Sequence, residues 1–397
     1  MLKTIIVLDN GTEISSGAGT TVAIQQVTIK ESVNDAKELS IGSACANMLE
    51  ARIFDPNQSL AIAAGSEVTA YKVTEGGTRA LVGRFIVEQP SRVSANVMKL
   101  TAYDRITRLD KDLSGWLSGL TGWPYSLITF AQMVCTQCGL TLVTTSIPNG
   151  DYMVQKFGAQ SVTGRKLMQW VGQIAARFCR ATPEGNIELA WYTSSGVTIA
   201  PDGDRFYYQN GLSYEKYSVA PIEKVQAKLT ADDVGVVWPT DAGEKNTYII
   251  TGNYLLTAST TADLQPVVQT IYTQLQGVSY TPCRVVIPAC TDIHAGQTVQ
   301  IRDRNGNTIT AYVMRKTQNN HRDTIECTGS QRRDSTTAVN DESYRALSGQ
   351  ILEIKKDVEG LIVKTSQITE VKVGARNLIR NSTNLIYKDY TWQTVEE

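Results

Sequence analysis

The C-terminal part of the sequence carries an apolar pattern with strict heptad spacing. Its core positions, at alternating steps of three and four residues, are Tyr344, Leu347, Ile351, Ile354, Val358, Leu361, Thr365 and Ile368. This spacing is typical of the a/d seam of a coiled coil, here sustained over about three and a half heptads. One helix cannot bury such a seam, and isoleucine at both Ile351 and Ile354 favours three or four strands over two. The pattern predicts a homotrimer with these residues at its interface.

The predicted coil is short and contains unfavourable residues. Gly349 and Gly360 lie inside it, each costing about 1 kcal/mol relative to alanine, and Thr365 occupies a core position. We therefore expect the preceding domains to trimerise as well. The alternative is an amphipathic helix that packs against its own chain, which the two glycines keep open.

The composition excludes several classes of protein. The 397 residues include 38 basic and 39 acidic side chains, and the formal charge of -1 provides no global field for nucleic acid or an anionic membrane. No apolar run approaches the length of about 18 residues that a membrane-spanning helix needs. The apolar run 2–8 is too short for a signal peptide and ends at Asn10-Gly11, which predicts a first strand and a turn.

The cysteines suggest packing rather than chemistry. Seven cysteines without framework spacing fit a chain folded in a reducing cytoplasm. Cys135 and Cys138 form a CxxC pair, but a zinc site would need a second ligand pair, which the sequence lacks. We interpret them as packed helix cysteines, with redox or metal use as the alternative. Cys138 and Cys179 are both predicted at helix C-termini, where the helix dipole raises a thiol pKa.

The periodicity along the chain predicts a β-rich, mixed α+β fold in several parts. These are a first β domain at 1–104, an α/β insertion at 105–199, a second β domain with an inserted helix at 200–330, the coiled coil at 343–372, and the start of a truncated further module at 373–397. Helices are predicted at 125–138, 163–179 and 264–275, with Thr163 as an N-cap and Pro266 in the first turn of the last helix.

An internal repeat links the two β domains. Residues 64–70 match 295–301, residues 82–87 correspond to 309–314, and residues 98–101 correspond to 325–328. A single length difference in one turn aligns all three blocks. The repeat predicts two similar small β-barrel-like domains, although the pattern A-G-x-x-V before a strand pair is also common in unrelated small barrels.

The repeat and the coil together suggest a ring. Three chains with two similar β domains each place six similar units around one axis. Such a ring can match a six-fold partner on one side and a three-fold partner on the other. The end of a phage tail, where a hexameric tube meets a trimeric tip, requires this kind of symmetry adaptation.

Short motifs in the same order resemble a known family. They are Gly42-Ser43-Ala44-Cys45-Ala46, Phe54-Asp55-Pro56, Gly83-Arg84-Phe85, Leu100-Thr101-Ala102-Tyr103-Asp104 and Leu109-Asp110-Lys111. In order and spacing the sequence resembles the tail hub, or prophage endopeptidase tail, proteins of long-tailed phages, which are similar in fold to contractile-tail baseplate hubs. The segment 374–382 resembles the start of carbohydrate-binding-like modules in tip proteins.

The resemblance implies a virion protein, made in the host bacterial cytoplasm and placed at the tail tip. It would be a homotrimer that closes the tail tube, contacts the distal tail protein ring and the tape measure protein, and carries downstream host-binding or lytic modules. DNA would pass through it without being bound. The alternative function is a cell-wall endopeptidase or a carbohydrate-binding tip protein.

The residues give little support to catalysis, a metal site or a cofactor. Only His294 and His321 are present, without an HExxH spacing, and no phosphate-binding glycine loop occurs. Asp232-Asp233 are adjacent rather than opposed across a cleft. Two basic stretches, Arg315-Lys316 and Arg332-Arg333, are interpreted as solvated turns. Three tryptophans that could stack on sugars are interpreted as core or interface residues, namely Trp116, Trp123 and Trp170.

Overall fold

The computed structural model describes residues 2–17, 21–74, 76–88, 90–157, 161–228, 235–240, 246–256 and 261–331. The fold is mixed α+β and rich in strands, as the sequence predicts. The predicted coiled coil and the segment after it lie outside the described residues.

The N-terminal part of the chain consists of strands. They are β1 Lys3–Val7, β2 Glu13–Ser15, β3 Ala23–Ser32, β4 Met48–Phe54, β5 Glu67–Val73, β6 Arg79–Val87, β7 Ser91–Ser94 and β8 Val97–Asp104. Burial alternates along most of them, because successive side chains of a strand point to opposite faces. A bridge between Ser16 and Ile24 brings the end of β2 next to β3.

The middle of the chain carries most of the helices. Its elements are a 3-10 helix Arg105–Asp110, α1 Ser114–Gly119, β9 Tyr125–Ser126, α2 Leu127–Gln137, β10 Met153–Val154, α3 Gly164–Ala175, β11 Phe178–Ala181, β12 Ile187–Ala190 and β13 Thr193–Ile199. Thr163 is the N-cap of α3, as predicted, since its side chain accepts from Lys166 N. The helix ends at Ala175 because Ala176 is left-handed, and Cys179 therefore lies in β11 rather than at a helix terminus.

The rest of the described chain returns to strands around one long helix. The elements are β14 Leu212–Tyr214, β15 Lys224–Ala227, β16 Val236–Trp238, β17 Thr247–Ile250, a 3-10 turn Tyr254–Leu256, α4 Thr261–Leu275, β18 Cys283–Pro288, β19 Gln297–Arg302, β20 Thr308–Tyr312, β21 Arg315–Gln318 and β22 Arg322–Cys327. Because α4 begins at Thr261, Pro266 lies inside the helix rather than in its first turn.

One large sheet runs through both ends of the described chain. Its strand order is β14-β18-β22-β21-β3-β4-β8-β6-β5-β1-β2, and β7 pairs with β8 beside β6. Four smaller sheets of the described residues have the orders β10-β9, β11-β12, β13-β19-β20 and β16-β15-β17. We call strands β3–β8 the first β unit, and β14 together with β18–β22 the second β unit.

The two β units follow the same pairing scheme. In each, the first strand of a consecutive set of five pairs antiparallel with the last, namely β4 with β8 and β18 with β22. The second and third strands form a hairpin, and the fourth pairs with the last. The hairpin bases are bonded alike, since Gly65 N donates to Val87 O at 2.8 Å and Gly296 N donates to Val313 O at 2.9 Å.

The hydrogen bonds also correct the alignment read from the sequence. Val87 has the same bonds as Val313, whereas the sequence blocks placed it opposite Met314. Thr101 accepts from Glu88 N as Glu326 accepts from Met314 N, whereas the blocks placed Thr101 opposite Thr328. The shift at Val87 arises in the longer hairpin of the first unit, where the β5–β6 register changes between Ala70 and Tyr71. The units also differ outside the shared scheme, because β1 lies antiparallel to β5 but β13 lies parallel to β19.

Candidate functional site at the junction of the β units

The two β units meet at a hydrogen-bonded strand pair. Strand β21 of the second unit runs antiparallel to β3 of the first, with Lys316 opposite Glu31. The pairing continues past the strand ends, where Val33 N donates to Met314 O at 3.0 Å. Backbone bonds of this kind have a fixed register, so the junction determines how one unit lies against the other.

A buried ion pair lies directly behind this junction. Lys316 is fully buried, and its Nζ lies 3.1 Å from Asp323 Oδ2 and donates to Ile293 O at 2.5 Å. Burial alone would lower the pKa of Lys316, but Glu31 and Asp323 raise it above its usual value. The interpretation of Arg315-Lys316 as a solvated turn is therefore wrong, because both residues lie in β21 and Lys316 points inward.

Glu31 connects β3 to the loop before β19. Its carboxylate accepts from Gln318 Nε2 at 3.1 Å and from Ala295 N at 3.1 Å, and His294 Nδ1 lies 3.3 Å away. Burial opposes ionisation, but the His294 contact and the nearby Lys316 hold the pKa of Glu31 at about 2. The same contact raises the pKa of His294. A carboxylate with so low a pKa is a weak base at neutral pH, so the group serves as an anchor.

A second lysine reaches the junction from the far side of the first unit. Lys72, on β5, is 1% exposed, and its Nζ donates to Asn319 O at 3.4 Å. Burial lowers its pKa to about 8. Next to it, Thr4 Oγ1 donates to Asn320 Oδ1 at 3.0 Å. The β21–β22 turn is thus held by β1 and β5 while β21 itself is bonded to β3.

A cavity of about 210 Å³ lies beside the junction. Its lining includes the charged residues Glu31, Arg84, Asp104, Arg180 and His294. Asp104 accepts from Asn47 N at 3.0 Å and from Ile106 N at 3.2 Å, and burial raises its pKa to about 7. Arg180 Nε donates to Glu188 Oε1 at 2.7 Å. Asp104 and Arg180 therefore already hold neighbouring backbone and side chains in place.

The two histidines occupy the predicted positions. His294 precedes β19, and His321 lies in the turn between β21 and β22. Within the described ranges, no three histidine, cysteine, aspartate or glutamate side chains lie close enough together to hold a metal ion. No helix in the same ranges is long and apolar enough to cross a membrane.

The seven cysteines are all described and all unpaired. Cys135 and Cys138 are buried at the end of α2, as interpreted, and burial raises the pKa of the Cys135 thiol to about 12. The interpretation of Cys179 needs correction, since burial in the β11–β12 hairpin, and not a helix dipole, raises its pKa. A thiol with a raised pKa is mostly protonated at neutral pH and is a poor nucleophile.

The three tryptophans considered for sugar stacking belong to the apolar core around α2 and α3. Trp170 is 3% exposed, and its ring centroid lies 6.1 Å from that of Phe157. Trp116 and Trp123 are partly buried and contact Phe130, with centroid distances of 6.3 Å and 5.8 Å. This agrees with the interpretation of these residues as core.

Several predicted features lie outside the described residues. They are the whole predicted trimer interface from Tyr344 to Ile368, the acidic pair Asp232-Asp233 and the basic pair Arg332-Arg333. The coiled-coil seam stays a prediction.

The buried charges of the junction were missed in the sequence, although a signal is present. In β5 the inward positions of the alternation are Val68, Ala70 and Lys72, and in β22 they begin with Asp323. A charged residue at the inward phase of a strand must find a buried partner, because an isolated buried charge is too costly. Lysine and aspartate at such positions in different strands could therefore have been proposed as a pair.

Known proteins match this chain at the level of fold. No protein-family model matches the sequence, and no curated protein matches it. The prophage MuSo2 43 kDa tail protein from Shewanella oneidensis is 16% identical with a TM-score of 0.51, covering 82% of this chain and 97% of that one. The tail protein from Neisseria meningitidis MC58 is 12% identical with a TM-score of 0.53, covering 83% and 97%. Prophage tail protein gp18 from Listeria monocytogenes EGD-e is 10% identical with a TM-score of 0.50, covering 87% and 100%. The chain is thus similar in fold to prophage tail proteins, as the sequence resemblance implied.

Proposed function

We propose that this chain is a structural hub at the distal end of a phage or prophage-derived tail. Three copies surround the tail axis, close the tube, adapt its six-fold symmetry to a three-fold tip and carry downstream host-binding or lytic modules. One observation carries the proposal. A chain with the fold of prophage tail proteins contains two β units with the same pairing scheme.

The repeated pairing scheme supports two barrel-like β domains in each chain. The bridge between Ser16 and Ile24 brings β2 back to β3, so the strands of the first unit, with β1 and β2, curve towards closure. Three chains then contribute six related units to one ring. A ring of six related units can contact a hexameric tube through similar surfaces, while the chain as a whole repeats only three times.

The junction supports a mechanical role. Its charged side chains, Glu31, Lys72, Lys316 and Asp323, are engaged with each other or with neighbouring backbone. A buried ion pair held by a fixed strand register resists relative movement of the two units. A hub that transmits load between tube and tip needs this rigidity.

The partners follow from the proposed position. The hub contacts the distal tail protein ring and the tape measure protein on its tube side, and tip or receptor-binding modules on the other side. The seam from Tyr344 to Ile368 holds the three chains together where the hub leads into the tip. DNA passes along the axis rather than being bound.

Two measurements on the purified full chain test the proposal. Light scattering should return the mass of three chains, because both the ring and the seam need three copies. A folded chain that stays monomeric at high concentration would contradict the hub. Incubation with purified peptidoglycan should release no fragments, whereas hydrolysis lost in His294→Gln or His321→Gln would favour the endopeptidase alternative.

A further inference from the structure

We propose that neighbouring copies of this chain join by antiparallel pairing of β7 of one copy with β14 of the next. The inference rests on the proposed assembly and names the strands that form its chain-to-chain contact. Its basis is the junction inside one chain, where two strands with the same structural positions already pair.

Strands β7 and β21 are structurally equivalent. Each is the fourth strand of its unit and pairs with the last strand, β8 or β22. Glu88 N donates to Thr101 O at 2.9 Å just before β7, and Met314 N donates to Glu326 O at 3.1 Å just before β21. Counting from these bonds, Ser91 of β7 occupies the place of Thr317 in β21.

Strands β3 and β14 are structurally equivalent as well. Both pair antiparallel with the first strand of the five, β4 or β18. Lys30 lies opposite Met48 on β4, and Glu215, which directly follows β14, donates from its backbone N to Pro282 O at 2.9 Å beside β18. Thr101 on β8 and Glu326 on β22 accept equivalent bonds, and the residues that follow them lie opposite Leu49 and Cys283, so Met48 and Pro282 are equivalent as well. Glu215 therefore occupies the place of Lys30.

The equivalent partners β7 and β14 lie at the two ends of one path through the large sheet, in which β7 branches off at β8. The path β14-β18-β22-β21-β3-β4-β8-β7 has β21 and β3 bonded in its centre, and β14 and β7 at its two ends. Among the described residues no strand pairs with the outer edge of either end strand. Pairing β7 of one copy with β14 of the next would form, between two chains, the same kind of contact that β21 and β3 form within one chain.

The exposure of the two edges fits such a contact. All four residues of β7 are exposed, and Val93 is 51% exposed. Tyr214 on β14 is 41% exposed and borders an open groove of about 480 Å³. The Tyr214 hydroxyl donates to Asp303 Oδ2 at 2.7 Å, which holds the ring at this edge. Val93 and the Tyr214 ring thus place exposed apolar surface on edges whose backbone groups can bond another strand.

The geometry gives a specific register. Inside the chain Thr317 lies opposite Lys30, so between chains Ser91 should lie opposite Glu215, and Arg92 opposite Tyr214. One backbone hydrogen bond of the β21–β3 pairing has no counterpart between chains. Pro90 occupies the place of Lys316, whose amide donates in that pairing, and proline has no amide N–H to donate. The contact between chains therefore has fewer backbone hydrogen bonds than the contact within a chain. For this reason the trimer also needs the C-terminal seam.

The contact also defines the form of the assembly. β7 and β14 are different surfaces, so the contact is heterologous and generates a ring where the rotation closes. With three chains the ring contains six β units, joined alternately by β21–β3 within chains and by β7–β14 between chains.

Disulfide trapping tests the register with a control inside the same protein. The double variant Ser91→Cys with Glu215→Cys places thiols on opposing residues of the proposed pair. The matched control, Thr317→Cys with Lys30→Cys, places them on the equivalent residues within one chain. Val33 and Met314 form a hydrogen-bonded pair, and the two pair types alternate along an antiparallel ladder, so Lys30 and Thr317 form a non-hydrogen-bonded pair. The Cα separation of about 4.5 Å in such a pair permits a disulfide. Light scattering on each sample before oxidation gives the number of chains.

The expected result is a trimer in which oxidation of Ser91→Cys with Glu215→Cys replaces the monomer band by a covalent trimer that reductant dissolves. The control should close a link within each chain and stay a monomer on the denaturing gel, and each single variant should give no covalent trimer. If light scattering returns a trimer and the control forms its disulfide, but the test variant forms no interchain disulfide, the β7–β14 contact is overturned. The trimeric hub would then remain intact. A folded monomer would overturn the proposed assembly itself.

Discussion

Lys316 and Asp323 form an ion pair of 3.1 Å with side chains that are 0% and 1% exposed. They lie on the two strands of the β21–β22 hairpin, directly behind the strand pair that joins the two β units. Taking both charges out of water costs several kcal/mol each, which their attraction and the Lys316 bond to Ile293 O offset. The pair is therefore a place where one substitution has a large effect on the junction.

Lys316→Met leaves the buried carboxylate of Asp323 without its cation. We expect the free energy of unfolding, measured by urea denaturation, to fall by about 3–5 kcal/mol. Lys30→Met is the matched control, because Lys30 lies on β3 at the same junction but is exposed. Equal and small effects of the two substitutions would contradict the structural role of the ion pair.

Lys72 predicts a pH dependence of stability. Burial lowers its pKa from 10.5 to about 8, so charged Lys72 costs stability below pH 8. The cost disappears as the pH rises from about 8 to about 10.5, where the unfolded chain also loses the proton. Lys72→Met should therefore be more stable than the unsubstituted chain near pH 7, by up to about 3 kcal/mol, and equal to it near pH 10.5. Urea denaturation across this range measures the difference, and a constant difference would refute the explanation.

Two glycines at equivalent hairpin positions provide a matched pair. Gly65 and Gly296 both have positive φ, 85° and 91°. A Cβ at Gly65 meets nothing within 4 Å, but at Gly296 it lies 2.9 Å from the ring of Phe178 and 2.8 Å from Arg180 Nη1. Gly65→Ala should cost only the backbone strain of about 1 kcal/mol, and Gly296→Ala clearly more. Thermal unfolding of the two variants compares them directly, and identical losses would argue against the packing of the β11–β12 hairpin on this loop.

The heptad seam predicts a sharp effect on assembly. Ile351→Asp combined with Ile354→Asp places charges at an a and a d position and should shift the trimer towards monomer in light scattering. Lys356→Asp, at the outward f position of the same heptad, is the control and should leave the mass unchanged. If the double variant stays trimeric to the lowest measurable concentration, the seam does not hold the chains together.

Much of the fold could be predicted because burial and periodicity act locally. Strand β1, Lys3–Val7, lies within the apolar run 2–8 that predicted a first strand, and Thr163 caps α3 as its side-chain chemistry suggested. The end of α3 was not visible, because Ala176 adopts a left-handed conformation that its residue type does not favour. Tertiary packing of the following β11–β12 hairpin decides that position.

The junction could not be predicted in the same way. Lys316, Asp323 and Lys72 occupy buried positions of their strands, where charged residues are not expected. Lys72 bonds Asn319, 247 positions away, and Glu31 bonds Gln318, 287 positions away, so these contacts depend on pairing between strands that are distant in sequence. The repeat blocks were found from the sequence, but their register was one residue off at Val87 and two residues off at Thr101, since strand register and hairpin bulges are set by backbone bonds rather than by residue types.

Imaging of an intact tail that contains this chain tests the central claim most directly. Single-particle electron cryomicroscopy without imposed symmetry should place three copies between a six-fold ring and a three-fold tip, with six related β units around a central channel. Density for these units at another level of the tail, or in a number of copies other than three, would contradict the proposed hub.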